Sequence, residues 1–255
     1  MRKLKEGLTA RTIHSIHSLL HKALDTAVRW DLVSRNVCDL VSQPRPSQHE
    51  IRPLNKDQAM QLHNAAREHR FEALLTVATG MRRGELLSLR WQDINFADSC
   101  LHVRHTMNRI LGHGIVESEP KTSQGKRKIM LPQFAVEALK EQRTRQQEAR
   151  LQAGSAWRDQ GLVFSNIYGG YLDPGNTLRI FHKLVEEAGL LHMRFHDLRH
   201  SAATILLGMG VHPKVVQELL GHSKIGITMD IYSHILPSMQ QEAMGKMQDA
   251  FEEAP

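Results

Sequence analysis

Cysteine, aromatic residues and long apolar runs are all scarce in this 255-residue chain, and each scarcity excludes something. Two isolated cysteines, Cys38 and Cys100, cannot build a disulfide framework or a Cys-rich zinc site. Aromatics are 5% of the residues, too few for a surface that stacks single-stranded nucleic acid. No apolar run nears the length of a membrane span, and the opening Met1-Arg-Lys-Leu-Lys-Glu lacks the apolar core of a signal peptide. A soluble protein of a reducing compartment, the cytoplasm, with no membrane partner, is the expectation. No internal repeat or low-complexity tract is present.

What the chain does have is positive charge. Lysine and arginine number 33 against 27 acids, a formal net charge of +6, with 16 histidines besides. That balance suits a polyanionic partner without proving one. Hydrophobic residues make up 41%, enough for one large domain or two small ones with a real core.

Apolar positions recur at helical spacing through residues 9–30, from Ile13 and Ile16 to Ala27 and Val28. Short turns are expected over 37–41, and a proline-rich stretch marks a linker at 44–53. Helices are predicted at 56–68, capped by Asn55, at 71–79, closed by Gly80, and at 82–89. Three short strands, 100–105, 114–118 and 127–131, read as one antiparallel sheet. Helices follow near 133–152, 176–188, 196–207 and 213–220, with an apolar run at 162–164 and a turn at Gly169-Gly170. Met239, Ala243, Met247 and Phe251 recur four apart in a final amphipathic helix. The fold class is mainly α with a small antiparallel sheet (α+β).

Three segments carry the chemistry. They are Ala78-Thr-Gly-Met-Arg82-Arg-Gly-Glu85, then Arg194-Phe-His196-Asp-Leu-Arg199-His200, then Leu219-Leu-Gly-His222-Ser leading to Met229-Asp-Ile-Tyr232. From Arg82 to Arg199 is 117 residues, from Arg199 to His222 is 23, and from His222 to Tyr232 is 10. Phosphodiester transfer piles negative charge on the non-bridging oxygens, and without a metal that charge must meet fixed cations. Arginine suits the task because its planar fork grips phosphate bidentately and stays charged. Arg82 at a helix start lies where backbone N–H groups favour anions. His196 and Arg199, three apart, share a helix face.

In order, spacing and flanking residues these boxes resemble the catalytic boxes of the tyrosine recombinases of phage-integrase type, over roughly residues 9–238. The resemblance implies a site-specific recombinase that cleaves and rejoins duplex DNA through a 3′-phosphotyrosyl intermediate, integrating or excising a mobile element or prophage. It implies Arg82 and Arg199 as the phosphate clamp, His196 and His222 as proton handlers, Glu85 as a buttress of Arg82, and Tyr232 as nucleophile. Pro120-Lys121-Thr-Ser-Gln-Gly-Lys126 resembles the turn that delivers a general-acid lysine; Lys121 fits best and Lys126 is its rival. No cofactor or metal is implied. Residues 1–43 would be the C-terminal part of a helical core-binding domain, 44–53 a linker, 54–238 the catalytic domain and 239–255 an exchanged tail helix. Partners implied are a double-stranded DNA attachment site, further copies forming a tetramer through the tail, and accessory DNA-bending or directionality proteins. The shortness of the helical region before the linker implies a truncated integrase with a complete catalytic site.

Singly, each residue has a plainer reading. Arg82, Arg83 and Glu85 could be a solvated helix start, Tyr232 a half-buried tyrosine, and Lys121 a solvated loop lysine. Joint occurrence in order argues against that. His14, His17 and His21 share a face of the first helix; no acid at matching spacing completes a zinc site, so a polar face toward DNA is expected, with Arg11 and Lys22 supplying charge. Arg83 and Lys126 would add DNA contacts. A non-recombining DNA-binding remnant is the alternative from another class, and a type IB topoisomerase shares the chemistry.

Overall fold

The computed structural model describes residues 7–42, 52–68, 80–120 and 125–233, together with 244, 245, 247 and 248. The chain divides into two compact units, Met1–Ile51 and Arg52–Pro255. The predicted helix at 71–79, Lys121, most of the linker, and Met239, Ala243 and Phe251 of the tail lie outside the described residues. Of the tail stripe, Met247 is described and exposed.

In the first unit, α1 (Ala10–Arg29) starts at Thr9, whose hydroxyl accepts from the Thr12 N–H at 3.2 Å. No α1 side chain is buried. A short 3-10 turn, Val37–Leu40, folds back against the helix through polar contacts. Asn36, the one buried side chain among the described residues of this unit, donates through Nδ2 to the His21 carbonyl at 3.0 Å and to Asp25 at 2.6 Å. His21 sits between Asp25 (3.0 Å) and Asp39 (2.7 Å), and His17 meets the Cys38 carbonyl at 3.1 Å. The histidine face therefore differs from the sequence reading. Asp25, one turn beyond His21, and Asp39 supply the acids that spacing alone had seemed to deny, and two of the three imidazoles bind the chain's own turn.

The second unit begins with α2 (Lys56–Glu68), where Asn55 and Gln58 cap each other reciprocally at 2.8 and 3.1 Å. The short helix α3 (Arg83–Leu87) follows Arg82 and is only five residues long. It ends before the predicted 89 because the chain turns extended to pair with the apolar run: Val163 N–H donates to the Leu89 carbonyl at 2.8 Å. So short a helix brings little macrodipole, and anion preference here must rest on side chains.

Strands β1 (Ile94–Asn95), β2 (Cys100–Val103) and β5 (Arg127–Met130) form an antiparallel sheet in the order β1-β2-β5, with Leu101 opposite Ile129. Strand 114–118 does not join it. As β4 (Gly114–Ser118) it pairs with β3 (Thr106–Ile110) in a separate hairpin. The hairpin's root is held by Glu117, which accepts from Arg90 at 2.8 Å and from the Tyr171 hydroxyl. Between them the phenol is pushed up to about 12, by burial and then by the Glu117 carboxylate.

Helices α4 (Gln133–Ala153) and α5 (Pro174–Glu187) pack on the sheet and on α2 through Leu139, Phe181 and Leu184. Asp173 caps α5 by accepting from Gly175 and Asn176 N–H groups, with Pro174 pre-set for the first turn. Helix α6 (Asp197–Gly208) is tied to the start of the unit by Ser201, whose hydroxyl accepts from the Leu54 N–H at 2.9 Å. Helix α7 (Pro213–Leu220) ends at Gly221 in the left-handed region (φ 66°), and α8 (Ile225–Ser233), which the sequence reading left unassigned, follows. A small apolar cluster of Ala203, Leu207, Val216 and Leu220 joins α6 to α7, with Ile231 and Tyr232 packed against it. Among the described residues no helix is long and apolar enough to cross a membrane.

One close approach positions the site. A Cβ on Gly84 would lie 2.5 Å from the Met107 carbonyl oxygen, so α3 can lie against β3 only with glycine there. Gly84→Ala is therefore expected to cost about 1–3 kcal/mol, the usual range for overpacking. Denaturant unfolding of the full chain measures it; an unchanged midpoint would show that the two elements separate at no cost.

Candidate active site

Four segments meet around one acid. Glu85, 2% exposed on α3, accepts from Arg82 Nη1 at 2.7 Å through Oε1. Its Oε2 accepts from the Arg82 backbone N–H at 3.0 Å and from Arg127 Nη2 at 2.9 Å. Burial alone would raise this carboxyl, but the guanidiniums of Arg127 and Arg82 outweigh it and hold it below the usual range. Arg82, partly exposed at the N-cap of α3, also donates through Nη2 to the Gly221 carbonyl at 3.1 Å, which joins the first box to the third.

Arg199, in the first turn of α6, is 2% exposed. Its Nη1 donates to the Gly80 carbonyl at 2.9 Å, while Nη2 is buried with no hydrogen-bond partner among the described residues. Burial, then the nearby Arg82 and Arg127, push its pKa down to about 9. It remains charged at neutral pH, in a place with one carboxylate for three guanidiniums. A buried N–H of this kind costs free energy unless a ligand takes it.

The histidines respond to the same field. His196 caps α6, its ring edge-on to His200 at 5.2 Å, and is pushed down to about 4 by desolvation, then by His200, Arg199 and Arg82. His222, 6% exposed, is pushed down to about 3 by burial, then by Arg199 and Arg82. Its Nδ1 meets the buried Thr228 hydroxyl at 2.9 Å. Both imidazoles are neutral at pH 7.

The structure thus gathers Arg82, Glu85, His196, Arg199 and His222 into one cluster. Tyr232 lies near the end of α8, half-buried against the α6–α7 apolar cluster, and its hydroxyl has no hydrogen-bond partner among the described residues. Lys126 is drawn into an exposed ion pair with Glu119 at 2.7 Å, beside His102, Arg104 and Lys128. Arg83 lines a cleft with His182, His192 and His196. Arg11, His14 and Lys22 are exposed on α1, in the other unit. Sequence reasoning missed Arg127, Thr228 and His200. His200 stands inside a quoted box and Thr228 just before Met229, but nothing in their spacing marked their roles. Among the described residues no group of three or more His, Cys, Asp or Glu side chains could hold a metal ion.

The depressed histidines make stability pH-dependent. A group whose folded pKa lies below its unfolded value of about 6.5 contributes stability above that pH and loses it as pH falls. For His196 and His222 the loss runs from about 6.5 down through about 4 and 3. The advantage of the wild type over His222→Gln in Tm should shrink between pH 7.5 and 4.5, and sulfate should counter the acid loss. A difference that does not vary with pH would refute this reading of the field.

The model of the phage integrase family matches residues 52–239. A tyrosine recombinase XerC-like protein of Caldanaerobacter subterraneus subsp. tengcongensis is 32% identical over 266 residues, covering 97% of this chain and 68% of that protein. An integrase of Streptomyces ambofaciens is 31% identical over 267 residues, covering 98% and 66%. Among solved structures, the Tn1549 transposon integrase in complex with transposon right end DNA superposes with a TM-score of 0.78 at 23% identity, covering 94% of this chain and 82% of that one. That likeness shows the fold. The family match over residues 52–239, with a 32% identical relative along nearly the whole chain, establishes that this protein belongs to the phage integrase family, the tyrosine recombinases.

Proposed function

We propose that this chain is a site-specific DNA recombinase that cuts and rejoins duplex DNA through a covalent bond between Tyr232 and a DNA 3′-phosphate. The observation that carries the reading is the buried Nη2 of Arg199, which has no hydrogen-bond partner among the described residues and lies among guanidiniums and imidazoles, a donor suited to a phosphate oxygen. In this reading Arg82 and Arg199 take the non-bridging oxygens, where charge grows in the transition state. The Tyr232 oxygen attacks phosphorus, a P–O(Tyr) bond forms, and the bond to the 5′ oxygen breaks. Neutral His196 is suited to accept the phenolic proton, and His222 to hold a non-bridging oxygen through Nε2. The departing 5′ oxygen needs a proton; Lys121 is assigned that role, with Lys126 as the alternative. Return of a 5′-hydroxyl from a second strand reverses the step and completes exchange, so no nucleotide is consumed.

The partners that fit are an attachment site in duplex DNA, further copies of the chain assembling through residues 239–255, and accessory DNA-bending proteins, all in the cytoplasm. The division of labour follows the same reading: 1–43 for DNA binding through Arg11, His14 and Lys22, 44–53 as linker, and 54–238 for chemistry with Arg83 and Lys126 on the DNA. The DNA-binding remnant is not favoured, because the cluster draws Arg82, Glu85, His196, Arg199 and His222 together from all three boxes.

The deciding experiment maps covalent protein–DNA complexes on genomic DNA and uses the recovered site as a nicked suicide duplex. Wild type should give a covalent band on a denaturing gel, and Tyr232→Phe should bind the duplex yet give none. A band that persists in Tyr232→Phe would name another nucleophile. Arg199→Lys keeps the charge but loses the fork, so single-turnover cleavage should slow by about 100- to 1,000-fold with little change in affinity at fixed salt. Near-wild-type cleavage there would remove Arg199 from the clamp.

A further inference from the structure

Beside Arg82 and Arg199 lies a third arginine that the reaction scheme does not use. Arg127 opens β5, and its side chain is 6% exposed. Every one of its nitrogens is engaged by the protein. Nε donates to the Leu219 carbonyl at 2.8 Å, Nη1 to the Gly125 carbonyl at 3.3 Å, and Nη2 to the Gly80 carbonyl at 3.0 Å and to Glu85 at 2.9 Å. Arg199 and Arg82 differ: the first keeps one nitrogen unpartnered and the second is partly exposed. Four of the five N–H groups of Arg127 are therefore taken by the protein, and its burial leaves it little with which to grip a substrate.

Its partners are the scaffold of the groups that do. The Gly80 carbonyl accepts from both Arg127 and Arg199. The Glu85 carboxylate is shared between Arg127 and Arg82. At the end of α7, Leu219 receives Arg127 and Gly221 receives Arg82, one residue before His222. One side chain thus ties the turn before Arg82, the acid beside it and the helix end before His222. Without it, Glu85 Oε2 would lose its cation and could draw the Arg82 guanidinium into a closed two-oxygen pair, away from any incoming anion.

We propose that Arg127 is a positioning residue for strand transfer, which by occupying Glu85, Gly80 and Leu219 leaves Arg82 and Arg199 aimed at the phosphate. The proposal rests on the recombinase reading for its rate effect, and on geometry alone for its effect on anion binding. Two full-length variants test it. Arg127→Met removes all four hydrogen bonds, and Arg127→Lys keeps the charge but reaches only part of the acceptor set. Two probes are used: inorganic sulfate, followed by thermal shift, and the suicide duplex recovered by covalent mapping.

Cleavage by Arg127→Met should fall by about 100-fold, the scale of one lost oxyanion donor, while duplex affinity stays within about threefold at fixed salt. Arg127→Lys should recover part of the rate. In both variants more sulfate should be needed for half-maximal stabilisation. A purely structural role would lower Tm but leave the half-maximal sulfate concentration where it is, and that result overturns the proposal. So does cleavage by a folded Arg127→Met within about threefold of wild type, or affinity that falls in step with the rate. If Arg127→Met does not fold, Arg127→Lys decides: wild-type cleavage and sulfate response in it refute the positioning role. If wild type itself leaves no covalent band, the recombinase reading fails, and the sulfate measurement still judges Arg127.

Discussion

One carboxylate, Glu85, faces the guanidiniums of Arg82 and Arg127, and Arg199 reaches the same turn through the Gly80 carbonyl. Three permanent cations and one anion, largely withdrawn from water, leave an excess of positive charge that packing cannot remove. The rest of the site adjusts to that excess. Arginine cannot discard its proton near neutral pH, so the neighbouring imidazoles do so instead. The low values of His196 and His222 are the visible outcome, with burial as their first cause and the arginines next. Neutral histidines beside fixed guanidiniums are therefore a consequence of burial first and of charge second, and the order of the boxes alone does not state it.

The same constraint shapes the surrounding backbone. Carbonyl oxygens at Gly80, Leu219 and Gly221 all point at guanidiniums. Two of these close the end of α7, where carbonyls lack helical partners and carry partial negative charge. A cation-rich centre thus satisfies a helix terminus that would otherwise need water or a cap. The left-handed turn at Gly221 then sets His222 immediately beyond it, where its Nδ1 finds Thr228 on α8.

Much of this was legible in the sequence, and what was not had a physical reason. The boxes were legible because arginine, histidine and tyrosine stand at set spacings near short apolar runs, and the α+β class because helical and strand periods are distinct. Asn55 announced the start of α2, and the reciprocal bond with Gln58 bears that out. Arg127 was invisible because its partners lie 42 residues away at Glu85 and 92 at Leu219. In its own neighbourhood, Lys126-Arg127-Lys128 reads as a solvated basic run. The separate β3–β4 hairpin was missed because alternation identifies a strand but says nothing about which strand it pairs with. His21 misled for a related reason: one of its two acids, Asp39, is brought close only by the turn after the helix. That first unit is held by such polar contacts while Leu19, Trp30 and Leu40 remain exposed, which a pattern of apolar residues could not foretell.

The arrival of an anion inverts the electrostatics. Burial first and neighbouring cations second depress Arg199, His196 and His222, and a phosphate among them would offset the second cause, so their affinity for protons rises on binding. An imidazole at about 4 is a weak base for a phenol of pKa about 10. Raised toward neutrality by the bound phosphodiester, the same imidazole approaches the range in which general bases work best. In the reaction proposed above, the unliganded site is therefore a poor base toward Tyr232, and a bound phosphodiester improves it. On that proposed reading, coupling base strength to the bound phosphate would confine the phenolate to the moment when a phosphorus atom is there to receive it.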